Sequence, residues 1–175
     1  GESYSYEKTH YSYGTTIEVS DNFTFRTAEA YLNLAEAAAC LGGTHETEAL
    51  NAYNTLRAHR IAGYQPESGL TGRALVDSVR LERRRELCLE GHRWFDLRRY
   101  MVNEKYPDEK TLVNDYAIWE YSYSTYTYEM VLYRRYMLPP HDGAWTLPIP
   151  GDELDANYGM PDNERGPREY ESLLN

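Results

Sequence analysis

Glu86 and Glu90 stand four residues apart in a stretch that reads as helix. That spacing brings two carboxyl groups within reach of the roughly 5 to 5.5 Å separation used by retaining glycosidases. Such a pair works only if one partner stays protonated near neutral pH. Arg83, Arg85 and Arg93 crowd the same segment, and nearby cations push a carboxyl pKa down, the wrong direction for a general acid. Ion pairing that holds helices in register is the simpler use of these charges, so no residue is assigned to catalysis. His10, His45, His59, His92 and His141 show no i, i+4 pairing and no Cys or carboxylate set at ligand spacing, so no metal site is expected. A nucleophile elbow, a phosphate-binding glycine loop and a dinucleotide fingerprint are all absent, and no cofactor is expected.

A different chemistry is available further along. Trp119, Tyr121, Tyr123, Tyr126 and Tyr128 alternate through one segment, with Asn114, Asp115 and Glu120 close by. Sugar rings present C–H faces that pack on flat aromatic side chains, while their hydroxyls seek amide and carboxylate partners. Trp119, Tyr121, Tyr123 and Tyr126 are therefore the candidate ligand-binding residues. The same alternation also arises from strand propensity on a half-buried surface, and both readings stand at this point. Trp94 and Phe95 lie in a helical stretch and read as core.

The chain of 175 residues is long enough for a hydrophobic core, and a hydrophobic content of 41% argues against disorder. Its 28 acidic residues outnumber 18 Lys and Arg, and the net charge of -10 repels phosphate backbones and anionic headgroups. Nucleic acid is thereby excluded as a partner. No window approaches the run of about 18 to 20 apolar residues that a spanning helix needs. The opening stretch is polar and Tyr-rich, without a charged leader, an apolar signal core or a lipidated cysteine. Any export address or lipid anchor is expected outside this chain. Cys40 and Cys88 fall in apolar helical patterns, and their spacing leaves a disulfide between them open.

A single domain is expected, organised as an entry segment over 1–25, a helical core over 26–101, an irregular and strand-containing region over 102–163 and a tail over 164–175. In the entry segment, Tyr4, Tyr6, Tyr11, Tyr13, Ile17, Val19, Phe23 and Phe25 alternate loosely, as extended chain does. From Arg26 the period becomes helical, with Ala28, Tyr31, Leu32, Ala35 and Ala39 on one face up to a stop at Gly42-Gly43. Thr44 can cap a second helix that carries Glu46 and Glu48 in its first turn and Ala49, Ala52, Tyr53 and Leu56 on its apolar face. Together they form a hairpin like one tetratricopeptide unit, without a second copy about 34 residues away. A lone unit cannot bury its face, so an exposed apolar patch around Tyr31, Leu32 and Tyr53 is expected. A third helix starts near Thr71 or Gly72 and runs at least to Glu90. Its stripe of Leu75, Val76 and Val79 is interrupted by Arg83, Glu86 and Glu90, which are expected to be buried and paired with neighbouring helices. A further helical turn or two follows Gly91.

Residues 103–115 read as polar and turn-rich. The alternation from Trp119 to Leu132, broken once at Ser124-Thr125, is two strands or one kinked strand. Leu147 to Pro150 must be extended, because two prolines flank Ile149. The charged tail from Gly159 onward, with Pro161, Gly166 and Pro167, reads as surface coil. The fold class is thus mainly α: a tetratricopeptide-like hairpin and a long helix, with a loop-rich region and a few short strands.

Four separated stretches carry a resemblance. They are RTAEAYLNLAEA from Arg26, LNAYNTLR from Leu50, ERRRELCLEGHRWFDLRR from Glu82 and LPIPGDEL from Leu147. In this order they resemble the SusD/RagB family, and this chain looks like the C-terminal part of such a protein. The resemblance implies a cell-surface lipoprotein, anchored to the outer membrane by an N-terminal lipid outside this chain. It also implies capture of oligosaccharide, or in some members peptide, for delivery to a SusC-like TonB-dependent transporter. Catalysis is not implied. The alternative from another class is a tetratricopeptide-like scaffold that binds peptide or protein.

Overall fold

A computed structural model describes residues 26–163 and 165–174. The alternating entry segment lies outside the described residues. The chain divides into two compact units, Gly1–Asp96 and Leu97–Asn175.

In the first unit, α1 spans Thr27–Leu41, α2 Glu46–Ala58 and α3 Gly72–Glu86, and α4 begins at His92 and runs on to Met101. α1 ends where the alternating small residues give way to glycine. Gly42 and Gly43 both take positive φ, and the Gly42 amide donates to Ala38 O at 3.0 Å. Thr44 does not cap α2. Gly43–His45 form a single turn of 3-10 helix, and α2 starts at Glu46. Glu46 instead accepts the first amide of α3, from Gly72 N at 2.8 Å, an orphan donor that no residue adjacent in the chain satisfies.

Alanine faces let α1 lie against α2, and α3 packs on the same helix. Its Leu75, Val76 and Val79 are fully buried. The expected apolar patch on the hairpin is accordingly closed in large part. Leu32 is 0% exposed, clustered with Ala28, Leu56 and Leu87, and Tyr53 is buried with Arg57 over its ring at 5.3 Å; of the three only Tyr31 remains exposed. α3 supplies from within the chain the cover that a second repeat would give.

α3 ends at Glu86, four residues before the expected limit. A run of turns over 87–91 follows, in which Leu89 and Gly91 have φ of 62° and 81°. The break turns the chain back so that Asp96 of α4 meets Arg83 of α3 in a bidentate pair at 2.8 and 3.0 Å. Arg83 is 3% exposed and also donates to Asn33 of α1 at 2.7 Å. Arg26, at the start of α1, reaches Glu86 at 2.6 Å and Glu90 at 3.2 Å, and Arg60 after α2 reaches Glu86 at 2.9 Å. Arg57 of α2 closes on Glu82 at 2.6 Å. The charges that interrupt the apolar stripe thus tie α1, α2, α3 and α4 together, as expected of them. Phe95 departs from the core reading, being 61% exposed. Cys40 is half-buried in α1, Cys88 is exposed after α3, and no disulfide joins them.

The second unit holds a long antiparallel hairpin, β1 Leu112–Ser122 and β2 Thr127–Leu138. β1 begins inside the stretch read as turn-rich, because paired backbone outweighs the polar side chains of Asn114 and Asp115. Leu147 to Pro150 belongs to no helix or strand, and a short helix α5 follows at Gly151–Ala156. The tail contributes β3, Tyr170–Ser172, which pairs with β2 over Arg134–Tyr136. Tyr170 lies under the Arg134 guanidinium at 4.2 Å, and Arg168 donates to Asp142 at 2.7 Å, so the tail is pinned at two points. Trp145 is buried and donates from Nε1 to Pro139 O at 2.7 Å.

Candidate functional site

The candidate site is the free end of the β1–β2 hairpin. A four-residue turn, Tyr123–Tyr126, joins the strands where Ser124-Thr125 interrupt the alternation. Its last residue, Tyr126, takes φ of 57°, a conformation normally left to Gly or Asn. Hydroxyls tie the turn to the strand ends. Ser122 and Ser124 share a bond at 2.9 Å, and Thr125 joins Thr127 Oγ1 at 2.9 Å while donating to Glu129 at 2.6 Å.

A β-bulge decides which side chains meet. Ile118 pairs with Leu132 but Trp119 pairs with Met130, so Val131 is an extra residue in β2. Without it Tyr121 would face Glu129. With it Tyr121 lies opposite Tyr128, and Glu120 lies opposite Glu129. The Tyr121 and Tyr128 rings meet edge-on at 5.3 Å and 68°, and Tyr123 meets Tyr121 at 5.2 Å and 87°. Edge-to-face contacts fix rings against one another and leave flat faces turned outward. Trp119, two residues before Tyr121, shares its side of the pleat. All five rings are exposed, Tyr123 at 82% and Tyr126 at 77%.

The polar partners expected around these rings are not the ones the hairpin delivers. Asn114 and Asp115 lie six or seven residues back from Tyr121, about 20 Å or more along the strand. Asp115 is already held by Arg135 at 2.7 and 2.9 Å and by the Tyr133 hydroxyl at 3.2 Å. Those bonds, the Arg135 one above all, keep its carboxyl below the usual range. Glu120 points to the opposite side of the pleat from Tyr121. The hydroxyls of the turn do not take their place: Ser122 and Thr127 share Glu120's side of the pleat, and Thr125 donates to Glu129 there. The small polar residues of the turn carried no signal of their own in the sequence beyond marking a break.

Glu86 is unsuited to acid catalysis. Its hydrogen bond from Arg60, with Arg26 adding to it, holds its carboxyl below the ordinary value despite burial. Glu90 is on the other side of the helix break and reaches the same Arg26. Among the described residues no cluster of three or more His, Cys, Asp and Glu is placed to hold a metal ion, and no helix is long and apolar enough to cross a membrane.

Comparison with known proteins agrees with the four sequence motifs. The model of the SusD family matches residues 3–166. The crystal structure of a SusD superfamily protein from Bacteroides vulgatus ATCC 8482 is similar at 27% identity with a TM-score of 0.54, over 88% of this chain and 30% of that one. The chain therefore spans less than a third of that protein's length. No curated protein matches it. With nearly its whole length matched and the ion-paired helical motif folded as a tie between helices, the chain belongs to the SusD family.

Proposed function

We propose that this chain is part of a cell-surface glycan-binding protein, lipid-anchored to the outer membrane through a segment outside it, that passes oligosaccharide to a SusC-like TonB-dependent transporter. Family membership supports the nutrient-uptake role. In this reading the protein binds and does not catalyse, and Trp119, Tyr121, Tyr123 and Tyr126 make the ligand contact. The observation that carries the site is the group of exposed rings at a hairpin end, with Tyr121, Tyr123 and Tyr128 set edge-to-face. Rigid rings cost little conformational entropy on binding, and their faces suit the C–H side of a pyranose. The helical motif from Glu82 to Arg99 then serves as scaffold.

Calorimetry with a panel of oligosaccharides, paired with thermal melts, tests this division. Trp119→Ala and Tyr123→Ala are expected to weaken binding at least tenfold with little change in melting temperature. Arg83→Ala is expected to lower the melting temperature and leave the affinity of the folded protein intact. Unchanged affinity in both ring variants would refute the site.

A further inference from the structure

The candidate rings lie at one end of a longer strip. The extra residue of the bulge is in β2, so β1 alternates without a break, and Val113, Asp115, Ala117, Trp119 and Tyr121 stand on one side of its pleat. None of the five is buried. Their partners across the hairpin are Met137, Arg135, Tyr133, Met130 and Tyr128. Contacts confirm the shared side, because Tyr133 and Arg135 both bond Asp115, at 3.2 Å and at 2.7 and 2.9 Å. Glu171 of β3 lies opposite Arg135 and joins the same side. At this end of the strip Met137 and Glu171 border a cavity of about 620 Å³, whose wall also holds Pro139, Asp142, Pro167 and Glu169. Ligand pockets run from roughly 300 to 1,000 Å³. One wall is pinned, since Asp142 accepts from Arg168 at 2.7 Å and from the Ala144 amide at 2.8 Å. A methionine and two prolines offer apolar contact while three carboxylates offer acceptors, the two kinds of partner that a pyranose seeks for its C–H face and its hydroxyls. Eight residues separate Tyr121 from Val113, about 27 Å of strand at about 3.4 Å each.

We infer that the rings and this cavity are the two ends of one binding track, and that its ligand is a linear oligosaccharide long enough to touch both. The inference rests on the ring contact proposed above. A short sugar covers one end only. A chain that spans the strip gains the second contact without losing translational freedom a second time, so affinity goes on rising with length after the rings are covered. Between the ends, Asp115 and Arg135 hold each other bidentate and present a fixed polar pair to passing hydroxyls.

The test is calorimetry, with a thermal melt of every variant, using cello-, malto-, manno- and xylo-oligosaccharides as tetrasaccharides, too short to reach both ends, and as octasaccharides. In at least one series the octasaccharide is expected to bind about tenfold or more tighter than the tetrasaccharide. A Glu169→Ala, Glu171→Ala double variant and a separate Met137→Ala variant are each expected to bring the octasaccharide to within about threefold of the tetrasaccharide, whose own affinity stays as it was. The two changes fall on different segments, so a loosened tail in the first does not decide the second. Trp119→Ala and Tyr123→Ala are expected to weaken both lengths. Equal affinity at the two lengths, or a length advantage that both cavity variants keep, overturns the track and leaves the ring contact standing if Tyr123→Ala still weakens binding. Binding that survives both ring variants, or no binding by any probe, overturns both.

Discussion

Arg83 is the residue on which the helical unit turns. It sits at 3% exposure and divides its guanidinium between Asp96 on α4 and Asn33 on α1. Removing one member of a buried pair strands the other charge, so Asp96→Ala and Arg83→Ala are each expected to cost about 3 to 5 kcal/mol, read from urea denaturation. Glu86 gives a pH signature. Its folded carboxyl is held down by Arg60 and Arg26, so its contribution is present above the unfolded carboxyl pKa and is lost as pH falls through the lower folded value. Wild type should therefore lose melting temperature more steeply below about pH 4.5 than Glu86→Gln, which has no proton to take up. Equal slopes in the two proteins would mean that the Arg60 contact contributes nothing to the pH dependence.

At the scale of elements, the α3–α4 break and the hairpin turn share a device: a non-glycine residue at positive φ. Leu89 adopts 62° with its side chain exposed, and Gly91 adopts 81° two residues on. A left-handed backbone costs a residue with a Cβ about 1 to 2 kcal/mol. Leu89→Gly is thus expected to raise stability by about 0.5 to 1 kcal/mol after the entropy of glycine is counted, and Gly91→Ala to lower it by about 1 kcal/mol. Opposite signs in chemical denaturation check both. Tyr126 is in the same position at 57°. Strained residues concentrate where function holds them, and a ring kept at a site that favours Asn fits a role in contact. Tyr126→Asn should leave stability unchanged or improved while glycan affinity falls; a fall in both would remove the argument from strain.

For the whole molecule the governing quantity is charge. The acidic excess opposes association of copies at neutral pH, while the exposed Trp119 and tyrosines of the hairpin favour it. The isoelectric point lies near 5.0. Light scattering across pH is expected to show a maximum of association near that value and a return to dispersed protein above it. In Trp119→Ala with Tyr123→Ala that maximum should shrink, because the apolar contribution is gone while the charge is the same.

Much of this architecture was legible in the order of residues. Helical periodicity and the Gly42-Gly43 stop located α1, the acidic first turn located α2, and the single break at Ser124-Thr125 marked the hairpin turn. These are signals carried by neighbours within a few positions, which is the range over which propensity and side-chain spacing act. The four motifs carried the family for the same reason. What remained closed depends on residues distant in the chain. Arg26 finds Glu86 sixty positions away, and Glu46 satisfies the amide of Gly72 twenty-six positions away. No local pattern announces such partners, nor that α3 must end at Glu86 for Asp96 to reach Arg83. The hairpin register is the clearest case. Alternation placed the tyrosines on a strand, but one extra residue, Val131, decided that tyrosine faces tyrosine and glutamate faces glutamate. Register belongs to the pairing of two strands, and a single inserted residue resets it, so only the tertiary structure could assign it.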